Sequence, residues 1–483
     1  MNNVRHLDYL FDPKTAAVIG ASNMPGKWGC DIFNLLITHG TRKVYPINKS
    51  KSEILGVRAY SSILDVPDEI DFAVITVANE YLPAAMEDCI QKGVKTVLVI
   101  SGGFAEIGND GIKAERQIAE IARRGSIRFI GPNCAGHVNT HAELCTAPYF
   151  PPTRKGPISL VAQSGNLGLI VASMLYEAGL GLSKYVSSGN EADLHFEDYL
   201  EYFGQDENTG LILGYIEGFR EGKRFLELAK EISRNKPIVI MKVGVTDAGS
   251  KACISHTSAL CGSDEISEAA FKQAGIIRVK EVGDLIDVSL CLLGQPRPKG
   301  RRVAVLTVGG GLGVIAADML GKCGLVVPEL SQDTINRLSS VLSGRWSRGN
   351  PVDTSGDLSY PCIIPLLEDD NVDAILIAGP VWAPVGFSAL ISTAPWERDY
   401  TVGFDQLLKQ VEEESLRNLD EIRQLAHSYG KPIVFSALAT NEVKNGELYH
   451  KLQSYNLTPF PTPDRAAKAL ARLVEYSHYL GNS

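Results

Sequence analysis

A single histidine within a run of small and polar residues is the feature of this sequence that most directly suggests chemistry. His256 lies between Ser255 and Thr257, inside the segment 251–262 (Lys-Ala-Cys-Ile-Ser-His-Thr-Ser-Ala-Leu-Cys-Gly). Such a segment buries little apolar surface, so packing alone explains the histidine poorly, although a hydrogen-bonded structural histidine is the alternative. We predict a loop that a bulky anion can approach. Because imidazole can act as a nucleophile, we interpret His256 as a phosphoryl acceptor.

Composition bounds the class of protein. The 483 residues suggest about three domains, and 45% hydrophobic with 21% charged residues is typical of a globular protein. The net charge of -9 argues against nucleic-acid binding. The nine cysteines form no CxxC pair, which indicates reduced thiols. No signal-like or membrane-spanning apolar run occurs, so we expect a cytoplasmic protein with no membrane contact.

Three times, an apolar β-rich run enters a glycine loop and then a helix-like pattern. The glycines concerned are Gly20, Gly165 and Gly310, spaced by 145 residues each time. Strand runs alternate with helical patterns around them, which predicts three α/β units with parallel, doubly wound sheets. Turn-rich segments at 148–157 and 294–300 indicate the boundaries. The expected domains are residues 1–147, 152–295 and 299–483.

The first unit has the pattern of a nucleotide-type binding domain. A helix after the Gly20–Gly29 loop would offer its N-terminal N–H groups to a phosphate. The loop matches neither the dinucleotide fingerprint nor a P-loop, in which a Ser or Thr would replace Trp28. The next strand ends in Asn48-Lys49, where an NAD site has Asp or Glu. Lys49 suits a ligand with a phosphate near its ribose, such as coenzyme A; a plain surface lysine and an NAD-dependent oxidoreductase are the alternatives.

Further small or polar residues follow strands of the first two units. Ser101 and the segment Gly131–Cys134 lie at predicted strand ends of the first unit, on the rim where open α/β sheets bind ligands. In the second unit, Gln163-Ser164-Gly165 precedes a predicted helix whose N-terminus can hold a phosphate. Glu217 follows a strand and is a candidate to accept a ring N–H from His256, with a solvated charge as the alternative.

The third unit opens with a second glycine-rich loop. Gly309-Gly310-Gly311 lets backbone amides approach an anion closely and precedes a plausible helix. The polar loop 343–353 is expected to line the same cleft as the histidine. The segment 382–414 lengthens this unit, and its glutamate run at 412–414 is interpreted as a solvated helix face.

These motifs together resemble the alpha subunit of nucleoside-diphosphate-forming acyl-CoA synthetases, the ADP-forming acetate–CoA ligase type related to succinyl-CoA synthetase. The resemblance covers nearly the whole chain. It rests on Val18-Ile-Gly-Ala-Ser22, Gly131-Pro-Asn-Cys134, Gln163-Ser-Gly165, Tyr215-Ile-Glu217, Ser255-His-Thr257, Gly309-Gly-Gly311 and Asn350-Pro-Val-Asp353. It implies a Rossmann-like CoA-binding domain followed by two flavodoxin-like domains.

The resemblance also implies roles for individual residues. His256 matches the family's phosphohistidine, and Glu217 matches the glutamate that steadies it. The phosphate-binding positions are Gln163, Ser164, Gly165, Gly309, Gly310 and Gly311. The CoA-binding positions are Gly20, Ala21, Ser22, Lys49, Ser101, Gly102 and Asn133. Ser258, Cys261, Met24 and Trp28 depart from the family pattern, and only the CoA-loop departures affect expected contacts.

Family and residues together imply a reversible ligase reaction. Acyl-CoA and phosphate give an acyl phosphate, His256 takes the phosphoryl group and releases a small carboxylic acid, and phosphohistidine then meets a nucleoside diphosphate. The sequence has no P-loop and no recognisable ATP-grasp region. We therefore expect an ATP-grasp beta subunit carrying the nucleotide with Mg2+, no metal site on this chain, and a heterotetramer. A non-catalytic CoA-binding regulatory protein is the alternative, and the sequence does not determine the acyl group, the choice of ADP or GDP, or the physiological direction.

Overall fold

The protein is described here from a computed structural model, which covers residues 6–257, 262–342, 344–355, 360–379, 404–437 and 446–481. The chain forms two compact units. The first joins residues 1–177 to 181–282, and the second joins residues 178–180 to 283–483. The first unit contains two large sheets and one two-stranded sheet, so the division into three domains stays a prediction. No helix among these residues has the length and apolarity needed to cross a membrane.

The strands and helices alternate along most of the chain, as predicted for an α/β fold. The strands are β1 Thr15–Ile19, β2 Lys43–Ile47, β3 Glu53–Ile54, β4 Val57–Arg58, β5 Phe72–Ile75, β6 Thr96–Val99, β7 Arg128–Ile130, β8 His137–Asn139, β9 Leu144–Cys145, β10 Lys155–Ala162, β11 Leu182–Ser187, β12 Leu211–Ile216, β13 Ile238–Lys242, β14 Ile277–Val279, β15 Val303–Thr307, β16 Val352–Asp353, β17 Ala374–Ala378 and β18 Ile433–Ser436. The helices are α1 Asp8–Phe11, α2 Trp28–Thr38, α3 Leu82–Lys92, α4 Asn109–Arg124, α5 Gly165–Glu177, α6 Phe196–Gln205, α7 Gly222–Ile232, α8 Asp247–Thr257, α9 Asp264–Gln273, α10 Val282–Gly294, α11 Gly310–Lys322, α12 Gln332–Val341, α13 Tyr360–Glu368, α14 Phe404–Tyr429, α15 Glu447–Ser454 and α16 Pro463–Gly481.

The first unit contains a parallel five-stranded sheet of order β2-β1-β5-β6-β7. Its second sheet has seven strands in the order β14-β13-β12-β10-β11-β8-β9. Strand β8 pairs antiparallel with both β11 and β9, an edge that the prediction of parallel sheets did not include. Short strands joined by a tight connection can pair antiparallel without a crossover helix. The small hairpin β3-β4 stands apart from both sheets.

The described strands of the second unit form a parallel sheet of order β16-β15-β17-β18. Strands β15 and β17 are buried along their whole length, as the continuous apolar runs of parallel sheets require. The predicted insertion 382–414 lies mainly outside the described residues, apart from the start of α14. Glu413 on that helix is exposed, consistent with the predicted solvated face.

One apolar cluster holds the two sheets of the first unit together. Val18 and Phe72 from the first sheet belong to the same buried cluster as Val161, Val186 and Ile212 from the second. All five side chains are fully buried. Close packing of this kind fixes the strand ends of one sheet relative to those of the other, which matters because the candidate site lies at those ends.

Candidate active site

Each of the three glycine loops follows the strand at the topological switch point of its sheet, where the strand order reverses. Strand β1 lies between β2 and β5, β10 between β11 and β12, and β15 between β16 and β17. Successive connections leave such a strand on opposite sides, which opens a crevice at its carboxyl end where α/β proteins bind ligands. Helices α5 and α11 begin at Gly165 and Gly310, and α2 begins at Trp28, confirming the predicted loop-to-helix pattern.

The loop after β1 is held close to the strand end. Gly20 has a φ of +94°, which favours glycine, and its N–H donates to the carbonyl of Ile47 (3.1 Å). A Cβ on Gly29 would lie 2.1 Å from the Gly20 carbonyl oxygen. The first turn of α2 can therefore lie this close to the loop only because residue 29 is glycine. Ala21 is buried, and the Ser22 hydroxyl accepts from the N–H of Met24 (3.1 Å).

Asn48 joins this loop to the end of β2. Its Nδ2 donates to the carbonyl of Ala21 (2.8 Å), while its Oδ1 accepts from the N–H groups of Ser50 (2.8 Å) and Lys51 (3.0 Å). Lys49 is exposed between these anchored positions and makes no hydrogen bond or ion pair with the residues that the structure describes. Its ammonium group is therefore available to an anion that approaches the end of β2.

Three other predicted CoA-binding residues also lie together. The Ser101 hydroxyl donates to the carbonyl of Val77, and the Ser101 carbonyl accepts from the N–H of Asn133 (2.9 Å). A Cβ on Gly102 would lie 3.3 Å from Asn133 Oδ1. Asn133 has a φ of +57°, and its Nδ2 donates to Asn190 Oδ1 (3.2 Å).

A cleft of about 480 Å³ in the first unit joins this rim to the second glycine loop. Gly102 and Asn133 line one part of it, and Gln163, Ser164 and Gly165 line another. The remaining lining residues are Trp28, Ile100, Cys134, Ala135, Ala147, Tyr149, Asn166, Leu169, Gly189 and Asn190. Two of the predicted CoA positions therefore share one cavity with predicted phosphate positions at the first turn of α5, where unpaired backbone N–H groups favour anions. The other five predicted CoA positions do not line this cavity: Gly20, Ala21, Ser22, Lys49 and Ser101.

Gln163 is buried, and its side-chain amide is fully engaged. Oε1 accepts from the N–H groups of Glu217 (2.5 Å) and Gly218 (3.2 Å). Nε2 donates to the Gly218 carbonyl (2.9 Å) and to Glu191 Oε2 (2.9 Å). Because both amide hydrogens are used, Gln163 holds the end of β12 in place, and we assign it this positioning role instead of the predicted direct phosphate contact.

Glu217 lies directly after β12 and is 3% exposed, so the alternative of a solvated charge is excluded. Its carbonyl accepts from Nζ of the buried Lys242 (2.7 Å). Burial first, and then the charges of Glu217 and Cys253, raise the pKa of Tyr215 to about 12. Glu217 and Cys253 of helix α8 thus lie near the same phenol.

The predicted loop around His256 is a helix up to Thr257, because α8 spans Asp247–Thr257. Lysine, alanine and other helix-compatible residues fill these positions, so the helix continues where small polar residues suggested a loop. Helix α8 packs beside the 3-10 turn Ala105–Ile107, close in sequence to Gly102. The backbone of His256 lies one turn beyond the buried Cys253; its side chain, like residues 258–261, lies outside the described part of the chain.

The third loop belongs to the second unit. Gly309 N–H donates to Thr307 Oγ1 (3.3 Å), and that hydroxyl donates to the Gly309 carbonyl (2.9 Å). A Cβ on Gly310 would lie 3.3 Å from Asp353 Oδ2, whereas Gly309 and Gly311 face open space. A cleft shared by these glycines, the 343–353 loop and His256 stays a prediction, and Ser343 lies outside the described residues.

One part of the cleft was not predicted from the sequence. The loop after β11, Ser188–Glu191, contributes Gly189 and Asn190 to the cleft wall. Asn190 Nδ2 donates to Glu106 Oε2 (2.7 Å) and Glu115 Oε2 (2.8 Å). These bonds link the loop to the 3-10 turn and to helix α4, which follow β6 of the first sheet. The signal was present, because small and polar residues follow a buried strand here as they do at Ser101.

Two family models match this chain. Residues 14–140 match a CoA binding domain, and residues 155–292 match a succinyl-CoA ligase like flavodoxin domain. The alpha subunit of ADP-forming acetate–CoA ligase I from Pyrococcus furiosus is 37% identical over 480 residues, 98% of each chain. The alpha subunit of ligase II from the same organism is 41% identical over 376 residues, 77% of this chain and 82% of that one.

A solved structure is similar to nearly the whole chain. It is a dinucleotide-forming acetyl-coenzyme A synthetase 1 from Candidatus Korarchaeum cryptofilum, in complex with phosphate and ADP. It is 32% identical, covers 99% of this chain and 98% of its own, and has a TM-score of 0.84. The resemblance and the fold class predicted from the sequence motifs are therefore confirmed.

Proposed function

This chain belongs to the family of ADP-forming acetate–CoA ligase alpha subunits, and from that premise we propose that it catalyses reversible acyl transfer between CoA and phosphate and carries the phosphoryl group on His256. One observation supports this proposal: Gly102 and Asn133, which are predicted to bind CoA, line the same cleft of the first unit as Ser164 and Gly165, which are predicted to bind phosphate. The family supports CoA as a substrate.

The proposed reaction has three steps. Phosphate attacks the thioester carbonyl of acyl-CoA, and the carbon–sulfur bond breaks to give an acyl phosphate and CoA. His256 then attacks phosphorus, the bond to the acyl oxygen breaks, and the carboxylate leaves. Finally the phosphoryl group moves to a nucleoside diphosphate. Glu217 accepts the other ring N–H and stabilises the positive charge that develops on the imidazole.

The negative charge of the phosphoryl group needs preorganised donors. The N–H groups at the start of α5 are the donors within the cleft, and Ser164 lies at the position before that helix. The loop Gly309–Gly311 is proposed to supply a second set from α11. No cluster of three or more His, Cys, Asp or Glu side chains suited to a metal occurs among the described residues. From the family resemblance we propose that Mg2+ binds with the nucleotide on a beta subunit of ATP-grasp type, in a cytoplasmic heterotetramer.

The direct test combines this chain with its candidate partner, ADP, Mg2+, phosphate and acetyl-CoA, and measures ATP. ATP formation that requires both chains is the expected result. Tight CoA binding with no turnover for any acyl-CoA tested would instead support the non-catalytic regulatory alternative. Binding of NAD in place of CoA would support an oxidoreductase.

Replacing Lys49 with alanine is expected to weaken CoA binding about five- to tenfold, since one exposed charge–phosphate contact contributes about 1 kcal/mol. Titration calorimetry with CoA and with 3′-dephospho-CoA measures the effect. The loss should vanish with dephospho-CoA if Lys49 contacts the ribose phosphate. Lys51→Ala, which removes an equally exposed neighbouring charge, is the matched control. Equal losses for both variants would contradict a specific role for Lys49.

Replacing Gly29 with alanine is expected to destabilise the first unit by about 1–3 kcal/mol and to weaken CoA binding at least tenfold. The new methyl group would lie 2.1 Å from the Gly20 carbonyl oxygen and 2.9 Å from Thr76 Oγ1, which forces α2 away from the loop. Thermal unfolding and CoA titration measure both effects. Gly222→Ala is the control, because a Cβ there meets open space; similar behaviour of the two variants would refute the tight-loop account.

A further inference from the structure

Glu191 is a buried carboxyl group that the proposed reaction does not use. It is 3% exposed and has a φ of +54°, a backbone conformation that residues other than glycine rarely adopt. The loop that holds it is anchored at both neighbours. Asn190 N–H donates to the Pro132 carbonyl (3.0 Å), and Ala192 N–H donates to the Gly131 carbonyl (3.0 Å).

Both oxygens of Glu191 contact neutral groups. Ser188 Oγ lies 2.8 Å from Oε1, and Gln163 Nε2 lies 2.9 Å from Oε2. Gln163 in turn contacts the backbone of Glu217 and Gly218 through both ends of its amide. A continuous set of hydrogen bonds therefore runs from Ser188 through Glu191 and Gln163 to the residue proposed to steady the phosphohistidine.

The surroundings favour the uncharged form of Glu191. Among the described residues no Lys, Arg or His forms an ion pair with it. The ionisable groups that face it are Glu197 and Tyr199 of α6 and Arg220 after β12. Arg220 donates to the Asn190 carbonyl (2.8 Å), and its charge favours ionised Glu191 less strongly than burial disfavours it. A buried carboxylate without a cation is costly, and a second one at Glu197 adds repulsion.

We propose that Glu191 is a positioning residue which, as a neutral carboxyl group, fixes Gln163 behind the cleft and keeps negative charge away from incoming phosphate. The inference rests on the proposed function, because phosphate is the substrate that the charge would repel. Ionisation of Glu191 would place an anion directly behind Gln163, which lines the cleft. Phosphate binding is then weakened while the chemistry at His256 is left intact.

The expected pH range follows from burial. Desolvation, together with Glu197, raises the pKa of Glu191 to about 8, against the opposing hydrogen bonds of Ser188 and Gln163 and the charge of Arg220. Below this pH the group is neutral in the folded protein, and above it the group ionises. In the unfolded chain Glu191 ionises near the ordinary glutamate pKa. The stability that the neutral form confers on the folded protein is therefore fully present below that pKa and is lost as the pH rises to about 8.

The test compares wild type with Glu191→Gln and Glu191→Leu across pH 6–9.5. Glutamine keeps an acceptor for Gln163 and a donor for Ser188 but cannot ionise. We expect wild type and Glu191→Gln to share one KM for phosphate at pH 6.5, and the wild-type KM to rise at least fivefold relative to the variant by pH 9, with kcat ratios unchanged. Glu191→Leu, which lacks the acceptor, should lose activity at every pH. Using the ratio of the two proteins cancels the titration of phosphate itself.

A second readout does not depend on turnover. The melting temperature of Glu191→Gln should exceed that of wild type by an amount that grows from pH 5 to pH 8 and then levels off. Parallel KM profiles in an active enzyme would overturn the role in phosphate binding, even though the ligase function stands. A melting difference that is constant with pH would overturn the neutral carboxyl. Absence of ATP formation by wild type at any pH would instead refute the ligase function.

Discussion

Alanine at position 256 is expected to reduce acyl-CoA-dependent ATP formation by about 10⁴-fold or more, because the phosphohistidine intermediate cannot form without the nucleophile. CoA affinity should be unchanged, since the residues proposed to bind CoA lie at the strand ends of the first sheet. The measurement is the coupled ATP assay with the partner present, together with a CoA titration of this chain.

An exposed histidine provides the matched control for this variant. The side chain of His39, at the end of α2, contacts the Thr38 hydroxyl and the Leu35 carbonyl of its own helix, so His39→Ala should retain full activity. If His256→Ala retained more than a few per cent of wild-type turnover, the phosphoryl group would have another acceptor. If His256→Ala also lost CoA binding, its loss of activity would reflect misfolding and not the loss of the nucleophile.

Glutamine at position 217 is expected to slow phosphoryl transfer to the histidine by about 10²- to 10³-fold, in line with the loss of an orienting carboxylate beside a catalytic imidazole. Glu217 is buried and its backbone is held by Gln163 and Lys242, so the substitution should not displace it. Rapid-quench single turnovers with labelled ATP measure the phosphorylation step separately from acyl binding.

Glu227→Gln on helix α7 is the control for the charge change, because Glu227 is exposed. If the Glu217→Gln variant were phosphorylated at the wild-type rate, the Glu217 carboxylate would have no role in this step. A shift of the pH dependence of phosphorylation toward lower pH in Glu217→Gln would support such a role, since the imidazole then lacks the carboxylate that favours its charged form, and the neutral nucleophile is present at lower pH.

Local patterns in the sequence were enough to predict the three strand-to-glycine-to-helix connections. The signal at Gly20, Gly165 and Gly310 lies within about ten residues of each position, where strand propensity, turn residues and helix periodicity all agree. The polar ends of β6 and β12 were predicted for the same reason. The antiparallel pairing of β8 with β11 was not, because it depends on contacts between segments about 45 residues apart.

The site itself could be predicted only as separate pieces. Glu217 and Gln163 were both predicted as site residues from their positions at strand ends. The sequence does not show that the side-chain amide of Gln163 bonds to the backbone of Glu217, 54 residues away. Glu191 was missed because its importance comes from burial and from its contact with Gln163. The helix through Thr257 was missed because small polar residues fit both a loop and a helix, and packing decided between them.

The most direct measurement is phosphoryl labelling of this chain. Wild type and His256→Ala are each incubated with the candidate partner, Mg2+ and ATP radiolabelled on its terminal phosphate, then quenched and separated. We expect an acid-labile, base-stable phosphate on wild type only, removed when CoA and a suitable carboxylic acid are added. A wild-type chain that stays unlabelled, with a partner shown to bind ATP, would contradict it.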